Sequence, residues 1–399
     1  MHVVMATESL DAIGGSETYL HTVAGNLVRL GHRVTVHALR HGTMADQVRD
    51  VGAEVVFEDG LPETCDAILV QDSGMAYALA ERWPDRPQVF VCHSALFDLQ
   101  LPPLLPVPGS VVVTLSDRNG ERIRALPGDH EIVRLRQPID SVRLAPRGAP
   151  AARPRKALLL GNYLVDDALA LIVEEWSAAG VAMVQVGTVT QPVLDVAAAV
   201  AAADIVVGKG RAVLDGMSCG RPAFVYDAFG ADGWVTPASY DAMESDAFAG
   251  QALPQVLGPS ELRGALDAYD PAMGQANREL ILKHHQDRKH TESLVAVFKR
   301  LGSVDPPTTP SAELARLSRL RWRAEFEAID LRRQLATVTG ELRRAEVELA
   351  DSREQLLVAE QRLLVSEQRR RRRARAARDA EARLAELGEP VEQADRSPS

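Results

Sequence analysis

The stretch Gly208-Lys209-Gly210-Arg211-Ala212-Val213-Leu214-Asp215-Gly216-Met217-Ser218-Cys219-Gly220-Arg221-Pro222 decides the fold. An apolar run from Asp204 to Val207 precedes it and reads as a short buried strand. A second such run, Ala223 to Tyr226, follows the turn Gly220-Arg221-Pro222. The unit is therefore strand, glycine-rich loop, short helix, strand. Such a loop sets backbone N–H groups at a helix N-terminus, where the helix dipole favours anions. Lys209 and Arg211 add two cations beside Gly208 and Gly210, and Asp215, one helical turn on, is placed to accept hydrogen bonds from sugar hydroxyls. A diphosphate attached to a ribose satisfies all three features. The plainer reading is an ordinary βαβ turn whose glycines serve packing, with both cations solvated. The rest of the chain weighs between them.

Upstream, His2 to Thr7 reads as a first strand, and a loop reaches Gly14-Gly15. Ser16 suits the N-cap of a helix in which Leu20, Val23, Ala24, Leu27 and Leu30 recur at helical spacing. Gly31 closes that helix, and Arg33 to Leu39 reads as the next strand. Further strands are expected at Glu54–Phe57, Ala67–Val70, Gln88–Cys92 and Ser110–Leu115, with helices between several of them. This alternation implies a parallel, doubly wound sheet. A Pro/Arg/Ala-rich segment, Ala145 to Pro154, reads as an interdomain linker. The alternation restarts with Lys156–Gly161, Val181–Gly187 and an Ala-rich helix Val193–Ala203, passes through the opening stretch, and ends in a helix from Met273 to Leu301. The fold class is α/β: two Rossmann-like doubly wound domains, residues 1–147 and 154–303, each of ordinary size.

The chain has 399 residues, 46% of them hydrophobic, and a formal net charge of -10, which argues against a general nucleic-acid binder. Cys65, Cys92 and Cys219 are widely spaced and match no metal or disulfide pattern, so a reducing cytoplasm is expected. Met1-His2-Val3-Val4 does not read as a signal peptide, and no run approaches the ~18 apolar residues of a membrane span.

After Leu301 the composition changes. Residues 304–310 form a Pro-rich linker, and from Ser311 to Leu387 there is no proline and, among glycines, Gly340 alone. Leu335, Leu342, Leu349, Leu356 and Leu363 repeat every seven residues, with Val338, Ala345, Ser352, Ala359 and Ser366 three positions after each. This seam predicts a coiled coil over residues 311–388, joining a homo-oligomer or docking on a protein partner, with a long antiparallel hairpin or a solitary charged helix as the alternatives. Arg369 to Arg373, with Arg375 and Arg378, interrupts it, and is expected either to be a solvated face or to touch an anionic membrane surface. Residues 389–399 read as a disordered tail.

These residues resemble a known family. Gly14-Gly15-Ser16-Glu17 with Gly31-His32-Arg33-Val34, Phe90-Val91-Cys92-His93-Ser94, Thr114-Leu115-Ser116-Asp117 followed by Arg122, and Leu214 to Pro222 occur in the order of the nucleotide-sugar glycosyltransferases of the two-Rossmann GT-B fold. The likeness is greatest to the large retaining group called family 4, and it spans residues 1 to 301. It implies that the donor nucleotide sits on the C-terminal domain, the acceptor on the N-terminal one, and the chemistry in the cleft between. Asp215 would hold the ribose, the Gly14-Gly15 backbone would approach the departing phosphate, and His93 would lie beside the transferred sugar as the catalytic candidate.

The departures are equally specific. The family's first glutamate, eight residues before its second, falls on Val207, and its Arg/Lys pair is replaced by the cation-free Gly161-Asn162-Tyr163-Leu164-Val165-Asp166-Asp167. A departing diphosphate gains negative charge that something must stabilise, and Lys209 and Arg211 are the substitutes. No metal or other cofactor is expected, since no Asp-x-Asp stands at a strand end. Retaining or inverting stereochemistry stays open. Two functions stay open as well. One is a hexosyltransferase-type enzyme moving sugar from a nucleotide-sugar to a cell-surface glycan or lipid-linked acceptor at the inner face of the membrane. The other is a lapsed GT-B subunit that binds nucleotide-sugar or serves as a scaffold through its coiled coil.

Overall fold

The structure is a computed structural model that describes all residues except 12, 95–99, 104–106, 108, 127–128, 162–166, 188–194, 228–229, 254–256, 304–310 and 388–399. The Pro-rich linker, the C-terminal tail and most of the Asn162–Asp167 segment therefore lie outside the described residues. The chain divides into two compact units, Met1–Trp322 and Arg323–Ser399.

The first unit holds two sheets. In the first, β1 (His2–Leu10), β2 (Arg33–His41), β3 (Glu54–Val56), β4 (Ala67–Val70), β5 (Gln88–Cys92), β6 (Ser110–Thr114) and β7 (Ile132–Arg134) run parallel in the order β3-β2-β1-β4-β5-β6-β7. Helices α1 (Gly15–Arg29), α2 (Thr43–Asp50), α3 (Ser73–Arg82) and α4 (Asp117–Arg124) connect them. Strands such as Ala67–Val70 and Gln88–Cys92 are buried on both faces, which is why they read as continuous apolar runs and not as alternating ones. The second sheet comprises β8 (Lys156–Leu160), β9 (Ala182–Val186), β10 (Ile205–Gly208), β11 (Ala223–Asp227) and β12 (Gly230–Trp234), in the order β12-β11-β10-β8-β9. Its helices are α5 (Asp167–Ala178), α6 (Val196–Ala201), α7 (Arg211–Ser218), α8 (Tyr240–Ser245), α9 (Pro259–Asp267) and α10 (Ala272–His284).

Both doubly wound halves are present, with four differences from the sequence reading. β1 continues to Leu10, past the expected end at Thr7. Ser16 does not cap α1: the cap is Gly14 in extended conformation, and the Ser16 hydroxyl donates to the Glu17 carboxylate instead. β12 is antiparallel to β11, because a two-residue connection cannot make a parallel crossover. The expected helix Met273–Leu301 is two helices, α10 and α11 (Asp287–Leu301). They part at His285–Gln286, where the ring of His285 is held by the Gln137 carbonyl and the Tyr240 hydroxyl.

That break lets the chain cross back. Leu294, Val295, Val297 and Phe298 of α11 belong to the apolar core of the first sheet, beside Tyr19, Leu20, Val23 and Leu27 of α1. The two halves are thus tied at two adjacent crossings. On the outgoing one, Ile139 N–H donates to the His285 carbonyl at the returning one.

The opening stretch packs with little room. A Cβ on Gly208 would stand 2.5 Å from the Leu160 carbonyl oxygen of the neighbouring strand, and one on Gly216 would stand 2.7 Å from Val206 Cβ. Gly208→Ala should therefore destabilise the first unit by about 1–3 kcal/mol, because the obstacle is backbone and cannot swing aside. Urea unfolding checks this, with a loss below 0.5 kcal/mol as the contrary result.

The described part of the second unit belongs to one helix, which begins within the first. α12 (Ser311–Leu387) is continuous through Gly340 and through the arginine run, and its leucines at 335, 342, 349, 356 and 363 are all more than half exposed. No described helix is long and apolar enough to cross a membrane.

Candidate functional site

The C-terminal ends of both sheets face a cleft of about 160 Å³. Gly15 and Ser16 reach it from the start of α1, His93 from the end of β5, Leu115 from the end of β6 and Asn119 from the first turn of α4. Gly210, Arg211 and Leu214 enter from the other half at the start of α7, with Glu244, Ala247 and Phe248 beside them. Gln137 and His285 close it at the crossings. The N-termini of α1 and α7 thus converge on one cavity, beside the first turn of α4, which the Ser116 side chain caps. Their first-turn N–H groups have no partner within the helix, and both dipoles present their positive ends. Gly15 faces open space: a Cβ there would meet nothing within 4 Å.

Arg211 is the cation in this cleft. Its side chain is only 11% exposed. Nε donates to Asp215 Oδ1 at 2.7 Å and Nη1 to the Pro138 carbonyl at 3.1 Å. Nη2 is buried and has no hydrogen-bond partner among the described residues. An unmet donor in a buried site costs about 1–3 kcal/mol and a charged one more, and an anionic oxygen would relieve it. The i,i+4 spacing of Arg211 and Asp215 on α7 is what lets the carboxylate hold the guanidinium in place.

His93 also presents an atom, Nε2, with no hydrogen-bond partner among the described residues. Its ring meets Tyr19 edge-on with centroids 4.8 Å apart. Burial, with His290 and Arg211 nearby, pushes its pKa down to about 3, so the imidazole is neutral at pH 7. Behind it, Tyr19 Oη and His290 Nε2 are 2.7 Å apart, and His290 Nδ1 is 2.9 Å from the Arg136 carbonyl. A carbonyl only accepts, so Nδ1 carries the proton, and Tyr19 donates to Nε2 of the neutral ring. His285 repeats the pattern: its Nδ1 lies 2.8 Å from the Gln137 carbonyl and its Nε2 lies 2.8 Å from Tyr240 Oη. Burial pushes His290 down to about 4 and His285 to about 3.

The structure brings Gly15, His93, Gly210 and Arg211 together on the cleft. Gly14 stands one residue behind, its carbonyl accepting from Thr18 N–H and Oγ1. Gly208 is enclosed in the sheet as described above. Lys209 forms an ion pair with the buried Asp227 at the end of β11. Asp215 is 7% exposed and is engaged with Arg211.

Sequence reasoning did not find Glu244, Asn119, Gln137 or His285. Glu244 is a buried carboxylate on α8 that takes Arg134 Nη2 at 2.6 Å and Arg136 Nε at 3.4 Å. Nearby, Arg118 Nη1 lies 2.6 Å from Asp246 Oδ1. These ion pairs join the two halves across the cleft mouth, and no short motif encodes partners more than a hundred residues apart. Ala247 and Phe248 carry φ of 59° and 54°, rare for residues with a Cβ, and the Phe248 carbonyl accepts from Gly210 N–H at 2.9 Å. Among the described residues no group of three or more His, Cys, Asp or Glu is arranged to hold a metal ion.

No protein-family model matches the chain, and no curated protein sequence does either. Solved structures match its fold. A glycosyltransferase from Rickettsia africae ESF-5 superimposes with a TM-score of 0.53 at 12% identity, covering 75% of this chain and 98% of its own. Anabaena HepE in complex with UDP and glucose gives 0.53 at 11%, covering 74% and 99%. Sucrose-phosphate synthase from Thermosynechococcus elongatus gives 0.51 at 11%, covering 75% and 99%. The chain has the GT-B fold of these proteins, extended by the long helix α12.

Proposed function

We propose that the chain is a glycosyltransferase that takes its sugar from a nucleotide-sugar donor. The observation that carries this reading is the unpartnered Nη2 of Arg211, held in a cleft where the N-termini of α1 and α7 converge. The donor diphosphate lies between those termini, with one of its oxygens on Arg211. Breaking the sugar–phosphate bond leaves about one extra negative charge on the diphosphate, and two helix ends plus a fixed guanidinium stabilise it without reorganising. A metal ion is not required, because those groups already supply the positive charge. His93, neutral, offers Nε2 to a sugar hydroxyl next to the reacting centre. HepE, of like fold, is held with UDP and glucose, which supports a donor of this class.

The role of Asp215 changes in this reading. It orients Arg211 first, and only an oxygen left over can serve a ribose. The resemblance supports a cell-surface glycan or lipid-linked acceptor on the N-terminal half, with the arginines of α12 available to an anionic surface.

Incubation with UDP-, GDP-, ADP- and dTDP-sugars, following release of the nucleoside diphosphate, tests the proposal. At least one donor should turn over, and a chelator should leave the rate unchanged. Tight binding without turnover of any donor would establish instead a non-catalytic nucleotide-sugar-binding subunit. Neither binding nor turnover would refute both.

A further inference from the structure

We propose that α12 forms an antiparallel coiled coil with a second copy of this chain, centred between Leu349 and Ser352. The helix is unbroken from Ser311 to Leu387, so its heptad register carries through without a shift. Leu335, Leu342, Leu349, Leu356 and Leu363 stay 53–67% exposed on one stripe, and a lone helix would leave that stripe in water.

Volume selects the direction. The second seam position holds Val338, Ala345, Ser352, Ala359 and Ser366, small residues apart from the first. A parallel pair stacks each seam position on itself, alternating leucine against leucine with serine or alanine against its like. Those small layers leave voids, and every void forfeits contact. An antiparallel pair sets the leucine position against the small one throughout. Leu349 then faces the second copy's Ser352, Leu342 its Ala359 and Leu335 its Ser366, giving even layers over about 45 Å of helix.

Charge selects the same direction and fixes the register. In that alignment the flanking positions put Arg332 against the second copy's Glu367, Glu346 against its Arg353 and Glu341 against its Arg362. Each pair occurs twice by symmetry, and no like charges meet at these positions. All six residues are exposed along α12 and free to reach across. The parallel in-register alternative keeps favourable Glu348–Arg353 and Arg362–Glu367 pairs but sets Glu341 against Glu346. The antiparallel register also gives the arginine run a partner. Arg370 and Arg373, on the seam, come level with the second copy's Leu331 and Ala328, where Glu325, Glu327 and Asp330 flank the helix. Their stems cover apolar surface while the guanidinium groups reach those carboxylates.

The test uses the full chain. Its mass in solution should be twice 43.3 kDa. Cys65, Cys92 and Cys219 are buried and contribute little background, so cysteines placed on the seam report contact. Leu342→Cys and Ala359→Cys chains should each fail to crosslink alone and should form a mixed disulfide dimer when combined. A monomeric mass at tens of micromolar would overturn the proposal. So would a crosslinked dimer of Leu342→Cys alone, the mark of a parallel pair. Neither outcome bears on nucleotide-sugar turnover, so this proposal and the functional one fail separately.

Discussion

Arg211→Ala should lower kcat/KM for the nucleotide-sugar by about 10²–10³-fold, the usual cost of removing one preorganised charge-stabilising donor. Arg211 has one nitrogen on Asp215, one on the Pro138 carbonyl and one unpartnered, so its position is set before any ligand arrives. Arg211→Lys should not restore the rate. A single ammonium keeps the charge but cannot serve the carboxylate, the carbonyl and a phosphate together. The alanine variant also strands Asp215 as a buried unpaired carboxylate, a loss of about 3–5 kcal/mol that could mimic a catalytic defect. Arg211→Ala with Asp215→Asn separates the two effects. Its melting temperature should recover much of the loss, whereas its kcat/KM should stay low. A double variant with kcat/KM within threefold of the wild type would remove Arg211 from the site.

Acid should destabilise the fold strongly, and histidine is the cause. His93, His285 and His290 have pKa values pushed by burial down to about 3, 3 and 4, while an unfolded histidine titrates near 6.5. The unfolded chain therefore gains protons that the folded one refuses. Stability from these rings is full above pH 6.5 and falls as pH drops from there toward 4. At pH 5 each costs about 2 kcal/mol, or about 6 kcal/mol for the three. Asp72 works the other way. Burial raises its carboxyl to about 7, so acidification from neutral pH relieves its penalty and offsets about 3 kcal/mol. His21, also pushed down to about 4 by burial, adds about 2 kcal/mol, so the net expectation is a loss of about 5 kcal/mol between pH 7.5 and 5, against a typical total of 5–15 kcal/mol. Urea unfolding at the two pH values measures it, and His290→Gln should flatten the dependence by about one histidine's share. Stability that is level or rising toward pH 5 would show that these rings are not held neutral.

What the sequence made legible follows from range. The strand–loop–helix–strand unit around Arg211 could be read because strand periodicity, the glycines and the cations lie within twenty residues. Burial on both faces made β4 and β5 visible as apolar runs. The break at His285–Gln286 was not legible, since its cause is a pair of contacts to Gln137 and Tyr240. The same holds for Glu244, whose partners Arg134 and Arg136 belong to the other half of the cleft. Asp215 shows a subtler limit. Its motif position was clear, but its engagement with Arg211 depends on side-chain direction along α7. Lys209 and Arg211, two residues apart, point to different carboxylates because one ends a strand and the other begins a helix.

Amide hydrogen exchange with and without a nucleoside diphosphate tests whether a diphosphate binds between the starts of α1 and α7. New protection is expected at residues 15–17 and at residues 211–213 together, since both sets of first-turn N–H groups face the ligand, with loss of both in Arg211→Ala. Protection confined to one half of the cleft, or appearing away from both helix starts, would contradict that binding.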